Sequence, residues 1–321
     1  MIETPTQSLR QILAQAPSRT QIQALSANRA PSQPLPQAPL PARAQLQKPR
    51  LIASGMLRLK AELEASWRAG DLGRVAPVLE PGAAAFLCRN PVAPGERVLD
   101  LGCGTGQLAI PMARSGARVT GIDLVPGLVL QARRRAAEAG LEARFDKGDI
   151  ERLPYADASF DRVVSFFGTM FAPRPWLATA EMLRVLRPGG RIVLASWTPE
   201  GFMGQMLQIL DRFVPPSPHR PPPLLWGQED CVQQRLGRWV SRLETSRHAL
   251  PLSYPLAARR VVRHYRAEHG PIVRAFERLD PAGQAGLAAE LEALWPRHKR
   301  ASGDRTCVEA ELLEVVAVKR S

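Results

Sequence analysis

The chain has 321 residues, of which 45% are hydrophobic, and its net charge is +13. This length and apolar content allow one large α/β domain or two small ones, and no apolar run of about 18 residues predicts a membrane span. The positive charge is spread along the chain and comes from 38 arginines against 5 lysines, so we do not expect the basic patch of a nucleic-acid-binding protein.

The first 50 residues are rich in Gln and Pro and contain one acidic residue, Glu3. Such a segment cannot bury enough apolar surface to fold, which predicts a disordered tail. It shows no basic segment followed by an apolar run, so we expect no secretory signal, while its arginines leave a transit peptide open. The 4 cysteines include no CxxC pair, which predicts free thiols, no metal site and a cytoplasmic protein.

From Leu51 to Trp67 apolar residues recur at helical spacing. Strand and helix patterns then alternate, with strands in "RVLDL", "ARVTGID", "ARFDKGD", "FDRVVSFF" and "RIVLASW". Helices are predicted in "GQLAIPMARSG", "PGLVLQARRRAAEAG" and "PWLATAEMLRVLRPGG". This alternation predicts an α/β fold with a doubly wound, mostly parallel sheet.

The alternation ends after Trp197. A Pro-rich loop, a strand in "RWVSRLETSRHAL", helices over 255–296 and a final strand in "EAELLEVVAVKR" are predicted there. We therefore divide the chain into a tail (1–50), N-terminal helices with a lid (51–95), a ligand-binding core (96–200), and cap helices with the last strands (201–321).

A glycine-rich loop follows the first strand in the pattern D-x-G-x-G-x-G, formed by Asp100, Gly102, Gly104 and Gly106. The next glycine of a dinucleotide fingerprint is replaced by Gln107, and no Walker lysine follows. A tight strand-to-helix turn without a ligand is the alternative interpretation of this loop alone.

Asp123 and Asp149 close the second and third predicted strands. At the carboxyl ends of parallel strands, a carboxylate beside a glycine loop can accept the ribose hydroxyls. A second carboxylate can accept an exocyclic amine, with Ile150 against the base. Because no basic phosphate clamp accompanies them, these residues indicate a nucleoside without phosphates.

The core resembles the class I S-adenosylmethionine-dependent methyltransferases, and most closely the branch of the ubiquinone and menaquinone C-methyltransferases. The matching phrases are "VLDLGCGTG", "VTGIDL", "GDIERLPYADASFD", "RVLRPGGRIVLASW" and "TPEGFMGQM". The resemblance implies a Rossmann-like sheet of seven strands with the last one antiparallel, a helical cap insertion, and S-adenosyl-L-methionine as the cofactor.

The resemblance also implies a role for each cofactor-binding residue. Gly102, Gly104 and Gly106 would let the backbone approach the methionine part, and Asp100 would face its ammonium. Ser165 and Phe166 would offer backbone atoms to the same end, and Asp123 would accept the ribose hydroxyls, with Leu124 beside the adenine. Asp149 and Ile150 would read the adenine edge, and "SWRAGDLG" would close over the cofactor as a lid. The predicted cofactor-binding residues are Asp100, Gly102, Cys103, Gly104, Thr105, Gly106, Asp123, Leu124, Asp149, Ile150, Ser165 and Phe166.

No catalytic base is assigned from the sequence. His264 and Tyr265, in the predicted cap, are preferred among seven candidates, which also include His219, His248, His269, Tyr155 and Tyr254. "SFFGTM" stands where nucleic-acid amino-methyltransferases of this fold carry Asn or Asp before Pro-Pro-aromatic. We therefore expect methylation of an O, N or C atom of a small apolar or aromatic molecule. An RNA or protein methyltransferase and a non-catalytic cofactor-binding domain are the alternatives, and the oligomeric state is not indicated.

Overall fold

The structure, a computed structural model, describes residues 42–217, 220–298 and 305–321, with side chains from Gly55 onward. Two compact units divide the chain after Leu51, and every residue of the candidate site belongs to the second, Ile52–Ser321. Helix α1 spans Ala42–Arg68. Residues 42–50 are therefore helical where a disordered tail was predicted, since Ala, Leu, Gln and Arg favour extension of a helix that is already nucleated. The rest of that predicted tail, 1–41, lies outside the described residues.

Two short helices connect α1 to the sheet. They are α2 (Leu72–Val75) and α3 (Glu80–Arg89), with a 3-10 turn at Ala76–Leu79 between them. Asp71 caps α2, because its Oδ1 accepts a hydrogen bond of 2.9 Å from the backbone N–H of Gly73.

Strands and helices alternate through the core as predicted. The elements in chain order are β1 (Arg97–Leu101), α4 (Ala109–Arg114), β2 (Arg118–Asp123), α5 (Pro126–Glu138), β3 (Arg144–Lys147), β4 (Phe160–Phe166), α6 (Pro175–Val185) and β5 (Leu186–Trp197). In α5 the sequence fixes both ends, with Pro126 in the first turn and Gly140 at a φ of +66° just beyond the last turn.

The remaining elements are α7 (Phe202–Phe213), α8 (Glu229–Leu236), β6 (Val240–Tyr254), α9 (Ala258–Glu268), α10 (Gly270–Glu277), α11 (Pro281–His298) and β7 (Thr306–Lys319). The helical insertion predicted before the final strand is thus α9 to α11. None of the described helices combines the length and the apolarity that a membrane crossing requires.

The strands form one seven-stranded sheet in the order β3-β2-β1-β4-β5-β7-β6. The first five strands are parallel, and β7 runs antiparallel between β5 and β6, which confirms the predicted Rossmann-like sheet. From β1 the chain moves outward through β2 and β3 and then returns to β4 on the other side. The strand order therefore reverses beside the carboxyl end of β1, where open α/β sheets bind their ligands.

Two boundaries differ from the prediction. β3 ends at Lys147, so Asp149 lies two residues beyond it, in a turn bridged to Arg152. β5 begins at Leu186, because this residue already pairs with Phe160 before the register shifts. The residues expected to end the preceding helix, "RPGG", form that irregularity instead.

Candidate active site

The turn after β1 brings two backbone segments into close contact. Gly102 and Gly104 have φ values of +65° and +54°, which glycine adopts without a steric penalty. A Cβ on Gly102 would lie 2.7 Å from the Cα of Gly168 in the turn after β4. A Cβ on Gly168 would lie 2.6 Å from the carbonyl oxygen of Leu101. The open loop therefore depends on glycine at both turns.

Asp100 lies beneath this loop and is 2% exposed. Among the described residues, none makes a hydrogen bond to its Oδ2. Burial, followed by the nearby charge of Asp123, raises the pKa of Asp100 to about 7. A buried carboxylate in this state favours a cation or another hydrogen-bond donor nearby. Asp100 does not itself line the cavity, so contact with a bound ammonium requires a bridging group such as water.

Asp123 ends β2 and lines the cavity together with Leu124. Its two carboxylate oxygens accept hydrogen bonds of 2.9 Å each from the backbone N–H groups of Gly104 and Val125. Burial raises the pKa of Asp123 and these backbone donors oppose that rise. The carboxylate is thus held rigidly against the glycine loop, with lone pairs left for further donors.

Asp149 and Ile150 lie in the turn after β3 and line the same cavity. Asp149 Oδ1 accepts a hydrogen bond of 2.9 Å from the backbone N–H of Glu151. Its Oδ2 accepts one from the ammonium of Lys60, which reaches it from helix α1. The structure therefore brings Gly102, Gly104, Asp123 and Asp149 to one edge. We call the turns 100–106, 123–124 and 148–150 the cofactor rim.

Ser165 and Phe166 occupy the end of β4 but do not line the cavity. Ser165 Oγ donates a hydrogen bond of 2.7 Å to the carbonyl oxygen of Leu101 and accepts one of 2.9 Å from the N–H of Thr169. It thereby ties the glycine loop to the turn after β4. The residues that line the cavity there are Phe167 and Gly168.

Three loop residues also lie outside the cavity lining: Cys103, Thr105 and Gly106. Cys103 is buried, and burial together with the charge of Asp123 holds the pKa of its thiol above the ordinary range. Thr105 Oγ1 accepts a hydrogen bond of 2.5 Å from Gln107 Nε2. The side chains of Cys103 and Thr105 therefore pack or hydrogen-bond on the side of the loop away from the cavity.

The rest of the cavity lining is mainly apolar and aromatic. Trp67 packs edge-on against Phe171, with 5.0 Å between the ring centroids, and Phe167 stacks on Trp197 at 3.6 Å. The cavity has a volume of about 190 Å³. We call its apolar side the cap wall; its residues are Leu63, Trp67, Phe167, Phe171, Trp197, Met203, Leu207, Leu252, Tyr265 and His269.

Of the two preferred candidates for catalysis, only Tyr265 lines the cavity. Its hydroxyl hydrogen-bonds to that of Tyr254 at 2.5 Å, and burial raises its pKa to about 12. His264 is half-buried and lies outside the lining. The imidazole that reaches the cavity is that of His269, which stacks on Tyr265 with 5.3 Å between centroids.

His269 is 7% exposed, and burial lowers its pKa to about 4. Its Nδ1 makes no hydrogen bond within the described part of the chain. The ring is therefore neutral at neutral pH and offers one donor and one acceptor nitrogen. Sequence reasoning included His269 among the candidates but did not prefer it, and it missed Lys60 altogether.

Comparison with known proteins shows which family the chain belongs to. The sequence model of a methyltransferase domain matches residues 98–190. An uncharacterised protein of Mycobacterium tuberculosis is 38% identical over 236 residues, 73% of this chain and 85% of that protein. A demethylmenaquinone methyltransferase of Deinococcus radiodurans is 40% identical over 138 residues, 42% of this chain and 56% of that enzyme. The chain belongs to the class I S-adenosylmethionine-dependent methyltransferases.

Solved structures agree on the fold of this methyltransferase. The YcgJ protein of Bacillus subtilis aligns with a TM-score of 0.51 and 21% identity, over 75% of this chain and 99% of its own. A putative methyltransferase of Bacillus halodurans aligns with a TM-score of 0.52 and 18% identity, over 74% and 99%. At these identities the likeness concerns the fold alone. The chain spans little more than half the length of the Deinococcus enzyme, so that enzyme's activity does not carry over.

The methyltransferase uses S-adenosyl-L-methionine, and the residues present fit this cofactor. A side chain on Gly102 would collide with the backbone of Gly168. With glycine at this position, the backbone of the loop is exposed to the cavity. The unpaired Asp100 Oδ2 and the fixed Asp123 carboxylate suit a ligand that carries an ammonium and hydroxyl donors.

Proposed function

We propose that the enzyme transfers the cofactor's methyl group to a small, largely apolar or aromatic molecule. One observation carries the proposal: the cofactor rim and the cap wall line a single cavity. A methyl donor at the rim and an acceptor against the cap wall would therefore share one cavity. Small-molecule sites are mostly apolar with a few placed polar groups, as this cavity is.

The charges of the lining favour this acceptor class over RNA or a protein. The charged residues that line the cavity are Asp123 and Asp149 of the rim and Lys60 of helix α1. Lys60 is already paired with Asp149 and Glu151. A nucleic-acid acceptor would require basic groups that neutralise phosphates, whereas the acceptor side here is formed by aromatic and aliphatic side chains.

The proposed mechanism assigns the chain positioning and the exclusion of water. When bound, S-adenosylmethionine supplies a methyl group on a sulfonium for in-line displacement by the acceptor atom. Asp123 would hold the ribose and Asp149 the adenine amine, while Trp67 and Phe171 hold an apolar acceptor against the rim. Well-oriented reactants gain roughly 7–11 kcal/mol from positioning alone. A proton carried by the acceptor atom would pass to water or to a base as the methyl group is transferred.

We propose that His269 orients the acceptor through a hydrogen bond. The hydroxyls of Tyr265 and Tyr254 share one hydrogen bond in which either oxygen can donate, and burial raises the pKa of Tyr265 to about 12, so Tyr265 does not supply an anionic base at neutral pH. His269 lines the cap wall and, with a pKa lowered to about 4, keeps a lone pair at neutral pH. An acceptor that presents a hydroxyl or N–H group to the imidazole would be fixed without a charge change.

A labelled-methyl screen tests the proposal. The enzyme is incubated with S-adenosylmethionine labelled in the methyl group and with quinols, phenols, amines or fatty acids, each with and without added RNA. We expect label in an apolar or aromatic compound, with turnover that changes little between low and high salt. Label in RNA or protein with a steep salt dependence would support the alternative acceptor class. Tight binding of S-adenosylhomocysteine with no labelled compound would indicate a non-catalytic domain.

A further inference from the structure

A cluster of four charged side chains joins helix α1 to the adenine end of the cofactor rim. The Lys60 ammonium contacts Asp149 Oδ2 and lies 2.5 Å from Glu151 Oε2. Glu151, whose side chain is fully buried, also accepts hydrogen bonds from the backbone N–H and the Nε of Arg174 at 2.5 and 2.8 Å. Two positive and two negative groups thus balance one another at the edge of the cavity.

The position of Lys60 in this cluster is well defined. Its side chain is 15% exposed, whereas that of Asp149 is 30% exposed, and both line the cavity. Glu151 lies behind them and is held by Arg174, so it retains Lys60 even when Asp149 is engaged elsewhere. A second ion pair, Glu64 with Lys147 at 3.6 Å, joins the same helix to β3.

Lys60 and the adenine amine would use the same carboxylate. Hydrogen-bonded donors lie about 2.7–3.2 Å from their acceptor, so two donors on Asp149 Oδ2 are within about 5 Å of each other. The group at position 6 of the purine would therefore lie beside the Lys60 ammonium as well as beside Asp149.

We propose that Lys60 is a specificity-determining residue that reads position 6 of the cofactor's purine together with Asp149. The inference rests on the proposed role of Asp149 toward adenine. An amino group at position 6 donates to Asp149 and competes with Lys60, which Glu151 then holds. An oxo group at position 6 cannot donate, but it accepts a hydrogen bond from Lys60. The wild-type site therefore discriminates less sharply between the two purines than an isolated carboxylate does.

Binding of two product analogues tests this assignment. Dissociation constants of S-adenosylhomocysteine and S-inosylhomocysteine, which differ at position 6 and in the proton on the neighbouring N1, are measured by calorimetry for the wild type, Lys60→Met and Lys60→Arg; the N1 difference is the same for every variant, so the change in ratio reports the side chain at position 60. We expect Lys60→Met to raise the ratio of the inosyl to the adenosyl constant about tenfold, the factor for about 1.4 kcal/mol. Lys60→Arg keeps a cationic donor and should leave the ratio within about twofold of wild type, since an arginine donates to the same acceptors.

The matched control is Arg58→Met on the same helix. Arg58 pairs with Glu62 on the exposed face, so this variant removes a positive charge and leaves the ratio unchanged. If Lys60→Met weakened both ligands equally, Lys60 would be a tether of α1 and the assignment would be overturned. A ratio that rose equally in the Arg58 variant would overturn it too. Should Lys60→Met not fold, as judged by its melting curve, Lys60→Leu, which likewise removes the donor, takes its place with the same expected direction.

The proposed site itself has a separate test. Asp149→Ala should weaken S-adenosylhomocysteine and remove most of its advantage over the inosyl analogue. Unchanged affinity in Asp149→Ala would contradict the adenine role of Asp149. A weakened Asp149→Ala combined with an unchanged ratio in Lys60→Met would contradict the role of Lys60 alone.

Discussion

The cofactor rim and the cap wall meet in one cavity but are built in different ways. The rim comes from three successive turns between residues 100 and 150, and its contacts are backbone approaches and carboxylates bound by N–H groups. The cap wall collects side chains from segments that are far apart in the chain, from Leu63 to His269. The positions of the rim residues thus follow from the strand order of the sheet, whereas those of the cap-wall residues follow from how distant segments of the chain pack together.

The part of the chain that matches the methyltransferase-domain model contains the rim, whereas part of the cap wall lies outside it. The methyltransferase-domain model covers residues 98–190, which include the whole rim but neither α1 nor the α9–α10 corner. Backbone contact closes that corner: a Cβ on Gly70 would lie 2.4 Å from the Glu268 carbonyl oxygen, and one on Gly270 would lie 2.2 Å from that of Ser66. The matched part of the methyltransferase thus contains the whole rim, whereas α1 and the α9–α10 corner, which supply Trp67, Tyr265 and His269 to the cap wall, lie outside the match.

The largest expected effect breaks the rim while leaving the cap wall intact. Gly102→Ala places a Cβ 2.7 Å from the backbone of Gly168 at a φ of +65°, and the left-handed region alone costs an alanine about 1–2 kcal/mol. We expect the affinity for S-adenosylhomocysteine to fall about a hundredfold or more, the factor for about 2.8 kcal/mol, with a lower melting temperature. Calorimetry and a thermal melt measure the two effects.

Substitutions at two other glycines distinguish the effect of a positive φ from the effect of a steric clash with Gly168. Gly140 has a φ of +66° but open space around its Cβ position, and Gly127 has open space and no positive φ. Gly140→Ala should lower the melting temperature without weakening the cofactor, and Gly127→Ala should do neither. Equal loss of binding in Gly102→Ala and Gly140→Ala would show that the close approach to Gly168 is not what the rim requires.

A smaller effect is expected at the carboxylate that ends β2. Asp123→Ala should weaken S-adenosylhomocysteine about tenfold or more, since a hydrogen bond to a charged group contributes about 1.5–3 kcal/mol. Because Asp123 also accepts the N–H groups of Gly104 and Val125, the variant should unfold at a lower temperature as well.

Asp123→Asn is the companion variant. Its remaining carbonyl oxygen keeps one of the two backbone hydrogen bonds, so stability should recover more than affinity does. Affinity that stayed at the wild-type value in both variants would remove the ribose assignment.

The sequence predicted the rim because its signals are local. The alternation of strands and helices places Asp100, Asp123 and the turn after β3 at one sheet edge once the strands are parallel. Their residue types then indicate a nucleoside. The exact end of β3 was wrong by two residues, since the turn that holds Asp149 leaves the sheet at Lys147.

The cap wall was predictable only in its chemistry. Sequence patterns indicate aromatic residues and a helical cap, but they do not say which helix face meets the rim. One signal was available: Tyr265 and His269 are four residues apart and lie on one face at the end of α9, while His264 is rotated away from Tyr265. Lys60 carried no such signal, since its partners Asp149 and Glu151 are about ninety residues away.

The cap wall can be tested without disturbing the rim. His269→Phe keeps the ring that stacks on Tyr265 and removes its nitrogens. With an acceptor identified in the methyl-transfer screen, we expect kcat/KM to fall about tenfold, since a neutral hydrogen bond contributes about 0.5–1.5 kcal/mol net. The dissociation constant of S-adenosylhomocysteine should stay within about twofold, because the rim is untouched.

His264→Phe serves as the control, since His264 lies outside the cavity lining. It should leave both constants unchanged. A loss of kcat/KM in His264→Phe with none in His269→Phe would reverse the assignment of the acceptor-facing histidine.

The smallest expected effects concern pH, and they have opposite signs in the two regions. The pKa of His269 is lowered from 6.5 to about 4, so the unfolded state binds more protons than the fold between these values. Its contribution to stability is complete above pH 6.5 and is lost as pH falls toward 4. The pKa of Asp100 is raised from 3.8 to about 7, so its contribution is lost as pH rises from 3.8 to 7.

Melting curves at pH 5 and pH 8 measure the contributions of His269 and Asp100 to stability. His269→Phe should gain stability relative to wild type at pH 5, where charging the imidazole opposes folding. Asp100→Asn should gain at pH 8, where the buried carboxylate is charged and its Oδ2 accepts no hydrogen bond from any residue that the structure describes. We expect shifts of a few degrees, at about 2–4 °C per kcal/mol for a chain of this size.

Added S-adenosylhomocysteine should reduce the advantage of Asp100→Asn, because a bound ammonium stabilises the carboxylate in the wild type alone. If both variants gained stability at the same pH, the pKa of Asp100 would not be raised while that of His269 is lowered, and this difference between the rim and the cap wall would be contradicted.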